Sequence, residues 1–254
     1  MQYDTDLTYQ LRKLKLSALL DTLEVRMLES EKNQLDYKTF LSLLLQDELE
    51  ARQARKIQRL IKDARFGHDQ TLENFDFTLA PYLNKTHIRE LVTCAFIRNG
   101  EGVVLVGPPG TGKTHLAKAI GHQACRKQYT VRFYKYHNLF DELLHADLHG
   151  TLDRLLKKLI ACDLLIIDDF AFKKIDQKNS EFLYTIVDTR YAVKSTILTS
   201  NRAMSDWMNV FPDPVIAGAI LDRLAHQAHQ IQLKGESMRK KLAKKNTQKA
   251  LSSC

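Results

Sequence analysis

The spacing of apolar residues along the chain changes after residue 66. Before that point, leucines recur at intervals of three and four, as at Leu7, Leu11 and Leu14 and again within residues 40–49. This spacing gathers apolar side chains on one face of a helix and predicts helical segments. From Val103 onward, short apolar runs alternate with helical patterns instead. The change predicts a small all-helical N-terminal domain followed by an α/β domain.

Five short apolar runs in the second part of the chain predict the strands of one sheet. Runs of this kind, separated by helices, are typical of a parallel sheet covered on both faces. The predicted strands are 103–106, 131–134, 164–167, 196–198 and 231–233. We expect domain boundaries of 1–66 for the helical domain, 67–233 for the α/β core, and 234–254 for a short C-terminal helix and basic tail. Within the core, the weakly periodic residues 67–85 predict a linker that wraps onto the rest.

An eight-residue segment after the first predicted strand reads Gly-Pro-Pro-Gly-Thr-Gly-Lys-Thr. This is the GxxxxGK[ST] pattern of a phosphate-binding loop, in which backbone N–H groups surround the phosphates of a nucleotide. We therefore predict that the chain binds a nucleoside triphosphate. Lys113 should contact the β and γ phosphates, and Thr114 should offer its hydroxyl to Mg²⁺. The predicted nucleotide-binding residues are Gly107, Pro108, Pro109, Gly110, Thr111, Gly112, Lys113, Thr114 and His115.

Two carboxylates, Asp168 and Asp169, follow the apolar run 164–167. The arrangement resembles a Walker B element. Because the carboxyl ends of parallel strands open on one edge, Asp168 can face the Mg²⁺ at Thr114 while Asp169 lies beside the γ-phosphate. We predict that Asp168 organises the metal's ligands and that Asp169 orients or deprotonates the attacking water. Two acids could instead cap the next helix, but the phosphate-binding loop upstream favours the catalytic interpretation.

Asn201 follows the next predicted strand and should fall at the same edge of the sheet. From there its amide can help to position the hydrolytic water. Asparagine also suits turns, where its side chain bonds to its own backbone, so the structural interpretation stays open.

Composition limits the classes of function. The chain of 254 residues is 44% hydrophobic and 27% charged, as in globular proteins, and no apolar run approaches the ~18 residues of a membrane span. The start of the chain lacks the basic and apolar stretches of a signal peptide, and the cysteines lack zinc-site spacing. We therefore expect a cytoplasmic protein with reduced thiols. The formal net charge of +8 favours polyanionic partners.

A row of basic residues precedes the linker at helical intervals of three and four. Apolar residues such as Ile57 and Ile61 fall on the opposite flank. A helix with one packed side and one basic side presents phosphate ligands to DNA, although a merely solvated face has the same pattern. The lysine-rich tail after residue 239 allows the same two interpretations. The row consists of Arg52, Arg55, Lys56, Arg59 and Lys62.

In this order, the motifs resemble those of an AAA+ ATPase of the DnaC branch, and more closely those of the IstB family. That family comprises ATP-binding helper proteins encoded beside a transposase in bacterial insertion sequences. The resemblance rests on the phosphate-binding loop, the Asp168-Asp169 pair, Asn201 and the segments 221–224 and 235–239. It covers nearly the whole chain, and the order of the motifs is more specific than any one of them.

The resemblance implies an AAA+ core, the cofactors ATP and Mg²⁺, and assembly of copies into a ring or spiral with ATP in the subunit interfaces. It also implies binding and bending of duplex DNA, largely independent of sequence, and recruitment or stimulation of the transposase of the same element. By analogy with the family, Arg223 is an arginine finger acting on a neighbouring subunit's ATP, and Arg239 is the sensor-2 arginine. Many AAA+ enzymes carry Glu where this chain has Asp169, so slow hydrolysis is expected.

Two other functions remain open from the sequence. A replicative helicase loader would share the core, but its N-terminal domain would bind a helicase and prefer single-stranded DNA. Proteins that bind single strands combine basic grooves with exposed aromatic residues, and the segment 40–66 holds only Phe40 and Phe66 as aromatic residues. The third candidate is a scaffold that binds ATP without meaningful hydrolysis.

Overall fold

A computed structural model describes residues 5–67 and 70–238, in which helices precede and then alternate with strands. The helices are α1 (Thr5–Lys13), α2 (Ser17–Asn33), α3 (Tyr37–Ala64), α4 (Lys85–Val92), α5 (Ala95–Arg98), α6 (Lys113–Arg126), α7 (Tyr136–Leu148), α8 (Leu152–Ala161), α9 (Gln177–Arg190) and α10 (Pro214–Ala225). The strands are β1 (Gly102–Val106), β2 (Val131–Lys135), β3 (Leu164–Asp168), β4 (Ser195–Ser200) and β5 (Ala228–Gln232). Two short 3-10 helices span Phe77–Leu79 and Met204–Val210. Within the described residues, no helix has the length and apolar content needed to cross a bilayer.

The chain forms two compact units, one ending at Arg59 and the other beginning at Leu60. The first unit consists of α1, α2 and most of α3. Its small core is made of leucines from α2 and α3, namely Leu19, Leu23 and Leu44. These positions follow the helical spacing of the sequence, so the predicted N-terminal helices are present.

A buried carboxylate, Glu48 of α3, ties the first unit together. It is 3% exposed and accepts hydrogen bonds from the Ala18 backbone N–H at 2.9 Å and from Arg52 at 2.8 Å, with Arg55 at 3.3 Å. Burial alone would raise the pKa of Glu48, but the bonds from Arg52 and Ala18 outweigh it and hold the pKa below its usual value. Two residues of the basic row therefore also serve the fold.

The second unit is built on a parallel sheet with the strand order β2-β3-β4-β1-β5. The five-stranded parallel sheet was predicted, and the first four strands lie within two residues of their predicted positions. The last strand begins three residues earlier than predicted, at Ala228. This is an edge strand that carries His229 and Gln230, so its first part offers no apolar run to recognise.

Alternate residues of the strands enter two separate cores, one on each face of the sheet. On one face, Leu105 and Ile166 pack with α6 and with residues around α4. On the other face, Val104 and Leu165 pack with α7, α8, α9 and α10. Burial on both faces explains why β1 and β3 are continuous apolar runs.

Arg190 at the end of α9 is 1% exposed and joins α8 to the sheet. Its guanidinium donates to the carbonyl oxygens of Leu159 and Cys162, both at 2.8 Å, and also to that of Ser195. Burial lowers the pKa of Arg190, and the surrounding carbonyls supply the hydrogen bonds that a buried cation requires.

Candidate nucleotide-binding site

The phosphate-binding loop connects β1 to α6 and is held from outside by a later part of the chain. Gly110 and Gly112 have φ angles of 81° and 96°, which favour glycine. A Cβ atom on Gly110 would lie 2.2 Å from the Ser237 hydroxyl oxygen, and one on Gly112 would lie 2.8 Å from the Met238 sulfur. The Met238 N–H also donates to the Gly110 carbonyl at 2.8 Å. The two glycines are therefore needed both for backbone shape and for close packing.

Lys113, the first residue of α6, lies inside this loop. Its ammonium donates to the carbonyl oxygens of Gly107 and Pro108, both at 2.8 Å, and the residue is 5% exposed. Thr111 closes the loop by donating to the same Pro108 carbonyl at 2.9 Å. The amine is thus held where the backbone N–H groups and the start of α6 offer positive charge to an anion.

Thr114 and Asp168 meet at the carboxyl edge of the sheet. The Thr114 hydroxyl donates to the Asp168 carboxylate at 2.7 Å, and the Thr199 hydroxyl of β4 donates to the same oxygen at 2.5 Å. Asp168 is 1% exposed, and burial raises its pKa although the two hydroxyl bonds act in the opposite direction. Hydroxyl and carboxylate oxygens are the hard ligands that Mg²⁺ prefers, so the pair fits that ion.

Asp169 and Asn201 lie beside this pair. The Asn201 amide donates to the Asp169 carboxylate at 3.3 Å, and the Asp169 backbone N–H donates to the Thr199 hydroxyl oxygen at 3.0 Å. Asp169 adopts a left-handed backbone conformation with φ of 57°, which turns the chain sharply after β3. The fold thus brings together Lys113, Thr114, Asp168, Asp169 and Asn201, which the sequence places in three separate segments.

These residues line one cleft of about 570 Å³, a size typical of small-molecule sites. One wall is the phosphate-binding loop with the carboxylates behind it. The segment before α4 also lines the cleft, with Phe75 and Leu79. The Phe75 ring stands edge-on to His115 at 5.2 Å, and the His115 ring bonds to the Thr71 carbonyl at 2.9 Å. The predicted linker therefore supplies part of the site.

A protein-family model described as IstB-like ATP binding protein matches residues 9–246. The chain belongs to this family. It is 39% identical over 207 residues to a Geobacillus stearothermophilus protein named as an ATP-binding protein of insertion sequence IS5376, with 82% of each chain covered. It is 37% identical over 240 residues to a Pseudomonas aeruginosa protein named in the same way for IS21, which covers 94% of this chain and 91% of the relative. The family expected from the motifs is confirmed.

Solved structures show that the IstB-like chain has the fold of DnaC and DnaA AAA+ domains. The DnaC helicase loader matches with a TM-score of 0.53 and 24% identity, over 59% of this chain and 87% of the loader. AMPPCP-bound DnaA from Aquifex aeolicus matches with a TM-score of 0.58 and 22% identity, over 73% of this chain and 56% of that one. These identities bear on the fold alone, and the predicted AAA+ core is confirmed.

Two lysines of the IstB-like protein line the cleft without having been predicted there. Lys118 lies on α6 one turn beyond Thr114, and Lys135 ends β2 beside Asp168. A signal for Lys118 was present in the sequence, since residues four apart on a helix share a face. Lys135 could be placed only once the pairing of β2 with β3 was known.

Arg223 lies on α10 and is not among the residues that line the cleft. Its guanidinium pairs with Asp188 at 2.8 Å and lies over the ring of Tyr184 at 5.6 Å. It also lines a small hollow with Gly102 and Gln227, at the amino edge of the sheet. Within one chain, the predicted finger therefore lies at the edge opposite to the carboxylates. Arg239 and the lysine-rich tail lie outside the described residues.

The five cations of the basic row are exposed on α3 and do not line the cleft. Arg52 and Arg55 donate to Glu48, and Arg52 also donates to the Lys15 carbonyl at 2.8 Å. The exposure agrees with a phosphate-binding surface and equally with a solvated face, so DNA binding by the row stays a prediction.

Proposed function

We propose that this IstB-like protein is an ATP-dependent helper of transposition. It hydrolyses ATP slowly, assembles as a homo-oligomer on duplex DNA, and recruits or stimulates the transposase of its own insertion sequence. The observation that carries the proposal is the meeting of Thr114, Asp168 and Asp169 behind the phosphate-binding loop. Relatives named for ATP binding and for insertion sequences support it.

The phosphate chain of ATP would lie along the loop. Lys113 would exchange its two carbonyl partners for the β and γ phosphates, which offer stronger, charged acceptors. Backbone N–H groups between Gly107 and His115 would complete the cradle. The linker wall with Phe75 and Leu79 leaves an apolar surface for the base.

Thr114 and Asp168 would hold Mg²⁺ beside the phosphates. When bound, this ion neutralises charge on the phosphates and favours attack at the γ-phosphorus. The raised pKa of Asp168 fits a buried carboxylate that requires a cation, and the Thr199 hydroxyl fixes its orientation.

Asp169 would take the proton of the attacking water, with Asn201 holding that water or the carboxylate itself. An aspartate is one methylene shorter than the glutamate of many AAA+ enzymes, and proton transfer depends on hydrogen-bond reach. We therefore expect slow hydrolysis, which would let the protein act as a timer.

Arg223 would act on the ATP of a neighbouring copy. Its position at the amino edge of the sheet, away from the carboxylates of its own chain, supports action between subunits. ATP would then lie in subunit interfaces, and Arg239 would contact the phosphates within its own subunit. The number of copies and the choice between ring and spiral do not follow from one chain.

The helical N-terminal domain, residues 1–66, would contact DNA or the transposase, while 67–233 forms the ATPase core and 234–254 the C-terminal helix and basic tail. The exposed row from Arg52 to Lys62 and the net charge of +8 support a DNA partner. A helicase loader would share the core, but the likeness to DnaC is one of fold, whereas relatives at 37–39% identity are named for insertion sequences.

Phosphate release by the full-length chain, with and without duplex DNA, tests the proposal. We expect slow release that duplex DNA stimulates, assemblies in electron micrographs only with ATP, and higher strand-transfer activity of the transposase encoded beside this gene.

Lys113→Ala should abolish ATP binding, whereas Asp169→Asn should keep binding and slow hydrolysis roughly 10²-fold or more. Phosphate release by the unmodified chain that is no faster than that of Lys113→Ala would favour a scaffold that binds ATP without meaningful hydrolysis. Stimulation by single strands, with no effect on the transposase, would favour a helicase loader.

A further inference from the structure

Lys118 is a largely buried residue whose side chain lines the cleft. The residue is 8% exposed, and its Nζ lies 4.6 Å from the centre of the Phe133 ring of β2. Because it follows Thr114 by one turn of α6, both side chains approach the cleft from the same helix face. Within residues 5–67 and 70–238, no hydrogen bond or ion pair reaches this ammonium. A buried cation held only against an aromatic ring requires another electrostatic partner.

Asp168 lines the same cleft and accepts at 2.7 Å from Thr114, the residue one turn before Lys118 on α6. Its negative charge supports the protonated form of Lys118 against burial, which lowers the pKa of the amine. The two groups therefore act on each other across the cleft, while the Asp168 oxygen that accepts from Thr114 and Thr199 stays in place.

The positive and negative side chains that line the cleft cancel one another. Three lysines oppose three aspartates, so the formal sum is zero. A cleft without net charge attracts a free divalent cation weakly, whereas two adjacent carboxylates without a lysine would attract it strongly. The balanced residues are Lys113, Lys118, Lys135, Asp76, Asp168 and Asp169.

We propose that Lys118 is a positioning residue, the built-in counter-ion of Asp168, which keeps free Mg²⁺ out of the cleft until a nucleotide brings the ion with it. This rests on the proposed function only in taking Asp168 as a metal ligand. Lys118 also supplies positive charge to the phosphates of a nucleotide that arrives without metal. Mg²⁺ therefore enters the cleft with a nucleotide or after one, and the ion alone does not order Asp168 and Asp169.

Titration of the nucleotide-free, full-length chain with Mn²⁺, followed by electron paramagnetic resonance, tests this directly. We expect weak binding to the unmodified protein and at least tenfold tighter binding to Lys118→Met. Asp168→Asn in the Lys118→Met background should remove the gain, because the metal then loses its ligand. Lys118→Arg should resemble the unmodified protein. Mn²⁺ binding that is equally tight with and without Lys118→Met would overturn the proposal.

A second measurement compares the Kd of a fluorescent ATP analogue in Mg²⁺ with its Kd in EDTA. The Kd in EDTA divided by the Kd in Mg²⁺ should rise about tenfold in Lys118→Met, since the metal must then supply the missing charge. Lys135→Met is the matched control, because Lys135 is an exposed cation of the same cleft and should change the ratio less. Unfolding temperatures without nucleotide establish that both variants are folded. If the unmodified chain binds no ATP, the proposed function fails, while the Mn²⁺ titration still decides the role of Lys118.

Discussion

Each compact unit contains a buried carboxylate, and the negative charges of the two carboxylates are stabilised in different ways. Glu48 in the first unit accepts from two guanidinium groups and a backbone N–H, and its pKa lies below the usual value. Asp168 in the second unit accepts from two hydroxyl groups at the wall of a cleft, and burial raises its pKa. At similar burial, Glu48 therefore accepts directly from charged groups, whereas Asp168 accepts from neutral hydroxyl groups and has its proposed counter-ion, Lys118, elsewhere in the cleft.

The difference separates an acid bonded within its own unit from one that faces a cleft, for which we propose a role in metal binding. An acid that accepts from guanidinium groups and a backbone N–H of its own unit contributes to stability, because hydrogen bonds between charged groups are the stronger ones. A carboxylate supported by neutral donors and facing a cleft can instead accept a metal ion. Burial alone would not have distinguished the two, whereas the identity of their donors does.

The largest expected effect is on ATP hydrolysis, and it concerns Arg223, which we propose to act on the ATP of a neighbouring copy. Arg223→Ala should lower ATP hydrolysis by ~10³-fold, as expected for an arginine finger. Mixing it with Lys113→Ala subunits should restore part of the activity, since each variant supplies what the other lacks. Phosphate release from the mixture measures this, with Arg154→Ala as an exposed control. Assembled mixtures without any rescue would show that Arg223 acts in its own chain, if at all.

The second prediction contrasts the two acids directly. Glu48→Gln should lower the free energy of unfolding by about 2 kcal/mol, because a neutral amide loses the charge-assisted hydrogen bonds from Arg52 and from the Ala18 backbone N–H. Asp168→Asn should cost less, about 1 kcal/mol or below, because its amide oxygen can still accept from Thr114 and Thr199 and the cation that loses its counter-ion, Lys118, opens onto the cleft. Urea unfolding in EDTA without nucleotide compares them. Equal losses in both variants would abolish the distinction between a structural and a functional carboxylate.

A smaller effect is expected for DNA binding by the first unit and the start of the second. Arg59→Ala combined with Lys62→Ala should weaken duplex binding regardless of sequence and lower the salt slope by about 0.9 for each lost contact. These two residues are preferred to Arg52 and Arg55, which also hold Glu48. Fluorescence anisotropy at several salt concentrations measures the slope.

The matched control for this experiment is Lys32→Ala with Lys38→Ala, two exposed lysines outside the row. The control should keep the slope of the unmodified chain. A double variant of Arg59 and Lys62 that binds with unchanged affinity and slope would make the row a solvated face.

The smallest expected effect is on the pH dependence of stability. The pKa of Glu48 is lower in the folded state than in the unfolded chain. Its contribution is therefore fully present above the unfolded pKa of about 4.3 and is lost as pH falls through the folded pKa. Unfolding free energies between pH 3 and pH 6 should fall more steeply for the unmodified chain than for Glu48→Gln. Parallel curves would contradict the pKa assignment.

The sequence predicted those parts of the site that are defined by a motif of consecutive residues. The strand, loop and helix around Lys113 form one continuous pattern, and Asp168 follows a run long enough to identify β3. The topological rule that parallel strands end at one edge then sufficed to bring Asn201 to the same place.

Other features depended on contacts between distant segments. Lys135 lies beside Asp168 only through the pairing of β2 with β3, and the linker wall at Phe75 becomes part of the site only through its contact with His115. The double role of Arg52 was hidden because a basic stripe has the same spacing whether it binds phosphates or a buried glutamate. The start of β5 was missed because an edge strand tolerates polar residues such as His229.

The central position of β1 has a consequence for biosynthesis. This strand and its loop leave the ribosome early, yet their neighbours in the sheet are β4 and β5, and the Gly110 carbonyl receives its bond from Met238. At ~5–20 residues per second, translation from Val106 to Gln232 lasts on the order of 6–25 s. During that interval the sheet cannot close around β1. The nucleotide site therefore cannot form before β5 and Met238 have been synthesised, so ATP can assist no folding step that precedes them.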